Sequence, residues 1–143
     1  TAEICLGANF DVMQGLRSLH LDMSDLTLLT DITTLGQGIA KLKTLSELSV
    51  RFGGCAVLSD ISPLSNGIAQ LTALHFLRLK FFRCAQLVKI GDLGQSIAEQ
   101  KVLRTIRLDF NQCEQLADVH SLRHGLSKLE ALQGFKLDLS GCE

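Results

Sequence analysis

Residues 45–73 read LSELSVRFGGCAVLSDISPLSNGIAQLTA, and this stretch decides the fold because the chain repeats its apolar frame. Each frame position has an equivalent 29 residues before it and at 29 and 58 residues after it. In the quoted stretch the frame is Leu45, Leu48, Val50, Phe52, Cys55, Leu58, Leu64, Ile68 and Leu71. Two equivalents differ, since Gln100 replaces a leucine and Leu26 replaces the cysteine. A fixed period of this length predicts a solenoid of stacked units.

The beginning of each unit predicts a β-strand. From Glu47 to Phe52 polar and apolar residues alternate, which is the period of a strand with one buried face. Glu47, Ser49 and Arg51 are therefore expected to face solvent. Strands separated by a helical crossover pair in parallel, so the units predict one continuous parallel sheet. Its strands are predicted at residues 19–23, 48–52, 77–81, 106–110 and 135–139.

The second half of each unit predicts a helix. Ser62 is placed to cap it and Pro63 to occupy its first position, while Leu64, Ile68 and Leu71 have the spacing of a buried stripe. Glycines recur in this segment, although each costs about 1 kcal/mol in a helix relative to alanine. Their recurrence indicates close approach of neighbouring helices. The two columns are Gly7, Gly36 and Gly94, then Gly38, Gly67 and Gly125.

The pattern LxxLxLxFxxCxxLxD resembles the leucine-rich repeat family, and LxFxxCxxLxD is similar to its cysteine-containing subclass. Asp31, Asp60 and Asp118 fit that pattern, whereas Lys89 departs from it. The resemblance implies an α/β solenoid with a curved parallel sheet on the concave face and helices on the convex face. It also implies that the cysteine turns inward at the end of the strand, where its thiol can bond loop backbone.

The units predict a single domain over residues 1–143. Leu6, Phe10 and Met13 have the spacing of a buried helix face and indicate the end of an earlier unit. The chain then divides into a partial repeat 1–15, the repeats 16–44, 45–73, 74–102 and 103–131, and a partial repeat 132–143. The absence of an initial methionine indicates a segment of a longer chain or a processed product.

Composition limits the classes of partner. The net charge is −1 and the isoelectric point about 6.4, which gives no bulk electrostatic case for nucleic acid. No apolar run approaches the roughly 18 residues that a membrane span needs. We therefore expect that the chain does not bind nucleic acid and contains no membrane span.

The cysteines indicate the compartment. Cys55, Cys84, Cys113 and Cys142 follow one another at intervals of 29, which places them in one column, and Cys5 has no obvious partner. Free cysteine is commonly buried as a small apolar residue, so we interpret the column as a structural cysteine ladder. Such thiols predict an intracellular, reducing compartment, either the cytoplasm or an organelle interior such as the chloroplast.

No residue pattern predicts an enzyme, a metal site or a cofactor. A linear column of cysteines cannot converge on zinc as a tetrahedral site does. His120 and His124 could share one helix face, but no third ligand accompanies them in sequence. There is no serine–histidine–acid set, nucleophile elbow or glycine-rich phosphate loop. Gln100 is expected to be either buried and satisfied by backbone groups or exposed where a partner docks.

The outward face of the predicted sheet is the candidate partner-binding site. Positive side chains gather at its middle around two aromatic rings that we expect to be exposed, and arginine and aromatic residues are enriched at interface centres. The proposed residues are Arg51, Phe76, Arg78, Lys80, Phe82, Arg107 and Asp109. The alternative is a solvated face on which Asp109 neutralises Lys80 and Arg107.

Three functions remain open at this stage. The first is a protein–protein interaction scaffold or adaptor that uses the concave face for a partner with an acidic or mixed surface. The second is a structural accessory subunit of a large assembly, organellar or photosynthetic ones included, because repeat proteins need polar caps and none is visible here. The third is an RNA- or nucleotide-binding module, which the net charge disfavours.

Overall fold

Five parallel strands form one sheet in chain order in the computed structural model, which describes residues 9–117 and 119–142. Expectations for Cys5, Leu6, Gly7 and Asp118 lie outside these residues. The strands are β1 (Ser18–Asp22), β2 (Glu47–Arg51), β3 (Phe76–Lys80), β4 (Thr105–Asp109) and β5 (Gly134–Asp138). The predicted α/β class and the predicted parallel sheet are confirmed.

Every neighbouring pair of strands is joined in one register. Leu48 lies opposite Leu19 on one side and Leu77 on the other, and the same offset of 29 holds along the whole sheet. Each strand begins and ends one residue earlier than predicted. The apolar residue after each of the first four strands still donates its backbone N–H to the next strand, as Phe52 does to the Lys80 carbonyl at 2.7 Å.

Helices connect consecutive strands. They are α1 (Thr33–Ala40), α2 (Ser62–Ala69), α3 (Leu93–Ala98) and α4 (His120–Leu126), and a short 3₁₀ helix (Phe10–Val12) precedes β1. Among the described residues no helix has the length and apolar character to cross a membrane.

The predicted cap of α2 was wrong by one residue. Ile61 occupies the N-cap position without a side-chain cap, and Ser62 is the first helical residue. The Ser62 backbone N–H instead donates to Oδ1 of Asp60 at 2.8 Å, so a carboxylate two residues earlier supplies the acceptor. Pro63 lies in the first turn, as predicted. His120 likewise is the first residue of α4.

The apolar core lies between the sheet and the helices. Its central feature is a stack of three buried rings, in which Phe52 and Phe81 have centroids 5.2 Å apart and Phe81 and Phe110 have centroids 5.6 Å apart. The rings are within 8° of parallel because the sheet register stacks equivalent side chains. Phe10 joins the core, but Met13 is 43% exposed, so the buried helix face expected there does not form.

The cysteine ladder bonds each unit to the one before it. Each thiol donates to a backbone carbonyl 32 residues earlier in the chain. Cys55 donates to Met23 at 3.2 Å, and Cys84 donates to Phe52 at 2.9 Å. Cys55, Cys84 and Cys113 are fully buried, whereas Cys142 is half-buried. The carbonyls of Phe52, Phe81 and Phe110 also accept the backbone N–H of the residue three positions later, so the thiol is a second donor to each of them.

A left-handed residue precedes each of the four cysteines and also Leu26. Its φ lies between +58° and +75° in every unit, although the residue is glycine only at Gly54 and Gly141. The other three positions are Asp25, Arg83 and Gln112, where a side chain makes this conformation unfavourable. The same turn is therefore imposed by the packing around it, since local sequence alone disfavours it.

The glycine columns lie where helices touch. A Cβ atom on Gly67 would overlap the Gly36 carbonyl oxygen, and one on Gly94 would overlap the Ser121 carbonyl oxygen. The sequence predicted this close approach. Between α2 and α3 the facing positions carry Ser65 and Ser96 instead, and both serines are buried.

Gln100 lies in this serine-lined seam between α2 and α3. It is 1% exposed, and its Nε2 donates to the Ile68 carbonyl at 2.9 Å and the Ser96 carbonyl at 3.3 Å. Its Oε1 has no hydrogen-bond partner among the described residues. The expectation of a buried and fully satisfied amide is therefore met only on its nitrogen side.

Alanine at the contact glycines should destabilise the protein. Gly67→Ala and Gly94→Ala place a methyl group against backbone of the next helix, and such overpacking costs about 1–3 kcal/mol. Gly15→Ala is the matched control, because nothing lies within 4 Å of its added Cβ and we expect a change of at most about 0.5 kcal/mol. Chemical denaturation measures all three. A stabilised Gly67→Ala, as helix propensity alone predicts, would contradict the close approach.

The buried thiols should resist labelling in the folded protein. Cys55, Cys84 and Cys113 should react with a thiol reagent only after unfolding, and the half-buried Cys142 should react first. Mass spectrometry of labelled peptides gives the order in which the thiols react. Rapid native labelling of Cys55, Cys84 and Cys113 would contradict the buried ladder.

The ladder should also make stability depend on pH. Burial raises the pKa of the Cys55 thiol, so this thiol ionises more readily in the unfolded chain, and the free energy of unfolding should fall as the pH rises above about 8.5.

Candidate protein interface

Alternate strand residues point away from the core and form three rows across the sheet, the first of which is Ser18, Glu47, Phe76, Thr105 and Gly134. The central row is His20, Ser49, Arg78, Arg107 and Lys136. The end row is Asp22, Arg51, Lys80, Asp109 and Asp138. The register therefore places Arg78, Arg107 and Lys136 on three adjacent strands. Ser49 was expected to face solvent but is 7% exposed, because a small side chain is shielded between the longer His20 and Arg78.

Phe76 begins the outward face of β3 and is half-buried, so the prediction of an exposed ring was wrong. The Arg107 guanidinium lies over this ring, with Cζ 5.9 Å from the centroid. A cation over an aromatic face is stabilised by about 0.5–1 kcal/mol at an exposed site. Arg107 is thus held in place by its neighbour on β3.

Phe82 follows the end of β3 and is also half-buried. Its ring lies against Gly53 of the preceding unit, where an added Cβ would overlap the ring carbons. The exposed ring that the sequence predicted is therefore seated on a neighbouring turn. Gly53 allows this because it has no side chain.

The cations at the centre of this face form no ion pair with a described carboxylate. Within residues 9–117 and 119–142, the side-chain ion pairs closer than 4.0 Å are Lys41 with Asp11 at 2.8 Å and Arg51 with Asp22 at 3.4 Å. The alternative in which Asp109 neutralises its cationic neighbours is therefore not observed.

The nearby carboxylates are turned towards their own backbone. Oδ1 of Asp109 accepts the Asn111 backbone N–H at 3.1 Å, and Oδ1 of Asp138 accepts that of Ser140 at 3.0 Å. The bonds from Ser140 hold the pKa of Asp138 below its usual value, so this carboxylate stays ionised at neutral pH. Among the described residues, neither acid forms an ion pair within 4.0 Å, although the charge of Lys136 contributes weakly to lowering the pKa of Asp138.

These side chains surround a small hollow of about 90 Å³. Its lining is Arg78, Lys80, Arg107, Leu108, Asp109, Lys136 and Asp138. Nε of Arg78 is buried and has no hydrogen-bond partner among the described residues. A buried donor without an acceptor is unfavourable by about 1–3 kcal/mol. The hollow therefore offers positive charge, and one of the arginines that line it has a buried donor left without a partner.

The structure gathers most of the predicted site in one place. We define the cationic face as the seven predicted residues together with Lys136 and Asp138, which the sequence prediction left out of the site. The spacing of 29 could have added both, because it places Lys136 beside Arg107 and Asp138 beside Asp109. Arg51 lies next to Lys80 in register, but its pairing with Asp22 makes it the least available of the cations.

No metal site accompanies this face. Among the described residues, no group of three or more histidine, cysteine, aspartate or glutamate side chains is placed to hold a metal ion. Chemically, the cationic face can bind an anion by charge and hydrogen bonds and an apolar group through its rings.

Comparison with models of known families gave no match to this chain, and neither did a search of curated proteins.

Proposed function

We propose that the chain is a leucine-rich-repeat solenoid whose curved sheet forms a concave face and whose helices form a convex one. The register of 29 residues supports this, because every strand is displaced from the next by one sequence repeat. The thiol bonds from each unit to the turn of the previous one also support it. The division into the repeats predicted from the sequence is part of this proposal.

We further propose that it is a protein-interaction scaffold or adaptor, without enzymatic activity, that binds a partner through the cationic face. One observation carries this proposal. Arg78, Lys80, Arg107 and Lys136 line one hollow without an ion pair to any described residue, while the carboxylates beside them bond their own turns. Unpaired like charges in adjacent strand positions are unfavourable, and an acidic partner surface would relieve this.

A protein partner fits better than RNA or a nucleotide. The net charge of −1 gives no field that would concentrate a polyanion, and acidic side chains interrupt the end row. An intracellular, reducing compartment fits a ladder of buried free thiols.

Reversing two charges should weaken binding without unfolding the protein. Arg78→Glu with Lys80→Glu should weaken partner binding by about 2 kcal/mol or more, which is about 30-fold, because both side chains contribute to the hollow and neither enters the core. The measurement is photo-cross-linking from a reactive residue at position 82, with the partner then identified by mass spectrometry and its affinity determined.

The matched control reverses two cations outside the face, Arg123→Glu with Lys128→Glu, and should leave the cross-link intact. Thermal melting must show that both double variants stay folded. If the Arg78 and Lys80 reversal leaves binding unchanged, the contact lies on the helices or at an end of the sheet.

A second candidate is a structural subunit of a larger assembly, and the exposed apolar residues of β5 favour it. Phe135 is 50% exposed, whereas Ile106, its equivalent on β4, is fully buried. Leu137 and Leu139 on the same segment are only half-buried. Apolar residues exposed on an outer strand can form a pairing site, which a neighbouring subunit could cover.

The β5 edge should make the 143-residue chain associate in solution. Phe135→Lys should reduce this association, because it removes exposed apolar surface and adds a charge to the edge. Leu28→Lys is the control, since Leu28 is 89% exposed but lies in the loop after β1. Sedimentation velocity over a concentration series measures the effect. A monodisperse parent chain that melts cooperatively as a monomer would remove the support for this candidate.

A further inference from the structure

We propose that the hollow of the cationic face binds a phosphorylated serine or threonine in an extended segment of a partner protein. This inference rests on the proposed interaction function and assigns it a ligand chemistry. It follows from the charge of the hollow, the arrangement of its donors and the two rings beside it.

The charge of the hollow matches a phosphate monoester. Four cationic and two carboxylate side chains line it, which leaves a formal charge of +2. A phosphorylated side chain carries about −1.5 to −2 at pH 7. A glutamate or aspartate side chain would neutralise only half of this charge. Asp109 and Asp138 form no ion pair with these cations among the described residues, because each carboxylate accepts a backbone N–H from its own turn.

The donors come from three neighbouring strands. Arg78, Arg107 and Lys136 are consecutive members of the central row, and adjacent strands lie about 4.8 Å apart. Guanidinium groups present several planar N–H donors that suit phosphate oxygens, and a phosphate offers three such oxygens. One dianion between these side chains would offset the mutual repulsion of all three.

Two features prepare the arginines for such a ligand. Nε of Arg78 is a buried donor that no described residue satisfies. Arg107 is held over the Phe76 ring, so less of its freedom is lost on binding. Arg107, fixed on an aromatic face, is thus positioned for an incoming anion, whereas a ligand reaches Nε of Arg78 only if it uncovers this buried donor.

The rings define what surrounds the phosphorylated residue. Phe76, Arg78 and Lys80 alternate along β3 and Phe82 follows two residues after its end, so a half-buried ring lies on each side of the cationic pair. Apolar side chains close to the phosphorylated residue would contact these rings. The preferred segment is therefore one phosphorylated serine or threonine with apolar neighbours, in contrast to a run of acidic residues.

The experiment compares three peptides on the 143-residue chain. They are acetyl-Ala-Leu-Ser-Leu-Ala-amide with phosphoserine at its centre, the unphosphorylated serine peptide, and the same peptide with glutamate. Nuclear magnetic resonance of the arginine Nε–H groups monitors each titration. We expect the phosphopeptide to bind at least about 10-fold more tightly than the glutamate peptide and to shift the Arg78 Nε–H signal. Binding should weaken from pH 7.5 to pH 5.0, because the second phosphate pKa is about 6.

Variants separate this site from nonspecific charge. Arg78→Gln and Lys136→Gln should each reduce phosphopeptide binding by about 10-fold, whereas Arg123→Gln, an exposed arginine on α4, should leave it unchanged. Two variants of the hollow are used so that a folding defect in one, seen by thermal melting, does not remove the test.

Two outcomes overturn the phosphate inference while leaving the interaction function intact. One is equal binding of the glutamate and phosphoserine peptides. The other is failure of every peptide to bind while the cross-link from position 82 still requires Arg78 and Lys80. Tighter binding of a ten-residue oligothymidylate than of the phosphopeptide, lost in Arg78→Gln, would overturn both proposals in favour of nucleic acid.

Discussion

The parallel register that joins each strand residue to the one 29 positions later is the constraint on which the rest of the structure depends. It stacks Phe52, Phe81 and Phe110 with nearly parallel rings. It also brings each cysteine thiol to a carbonyl of the preceding turn, to which the thiol donates a hydrogen bond. A slip of one residue would reverse the two faces of a strand and break both ladders together.

The same register amplifies whatever residue type occupies a position, because equivalent side chains become neighbours. In apolar columns this is favourable and builds the core. In the central row it places Arg78, Arg107 and Lys136 side by side, an arrangement that is unfavourable by up to about 1 kcal/mol for each like-charged pair. A chain that needed only a stable sheet would gain by alternating these charges. The stability of the sheet therefore does not account for these cations, which have no ion pair among the described residues.

Helix spacing varies along the chain for a related reason. Glycine at the facing positions lets α1 approach α2 and α3 approach α4 until backbone touches backbone. Between α2 and α3 the facing residues are Ser65 and Ser96, and Ser65 Oγ donates to the Ile90 carbonyl at 2.8 Å. The Gln100 amide lies in the same seam. The one departure from the leucine column thus accompanies the one helix pair that lacks glycine, which couples the two substitutions.

The sequence by itself determined the strand register, the parallel sheet, the core columns and the helix contacts. A strict period combined with helical crossovers leaves few possible strand pairings. Adding 29 to a residue number therefore gives its neighbour on the next strand, which predicts the rows that contain Arg78 and Lys80. Only the tertiary structure shows that Nε of Arg78 has no acceptor and that Asp109 accepts a backbone N–H. Whether a carboxylate bonds a nearby N–H or pairs with a cation depends on distances that the sequence does not give. The seating of Phe82 on Gly53 was decided in the same way, by a contact between units. The left-handed residues at Asp25, Arg83 and Gln112 were hidden as well, since their backbone conformation is imposed by packing against local preference. Periodicity fixes which residues become neighbours, whereas only three-dimensional contacts fix which of those neighbours bond to each other.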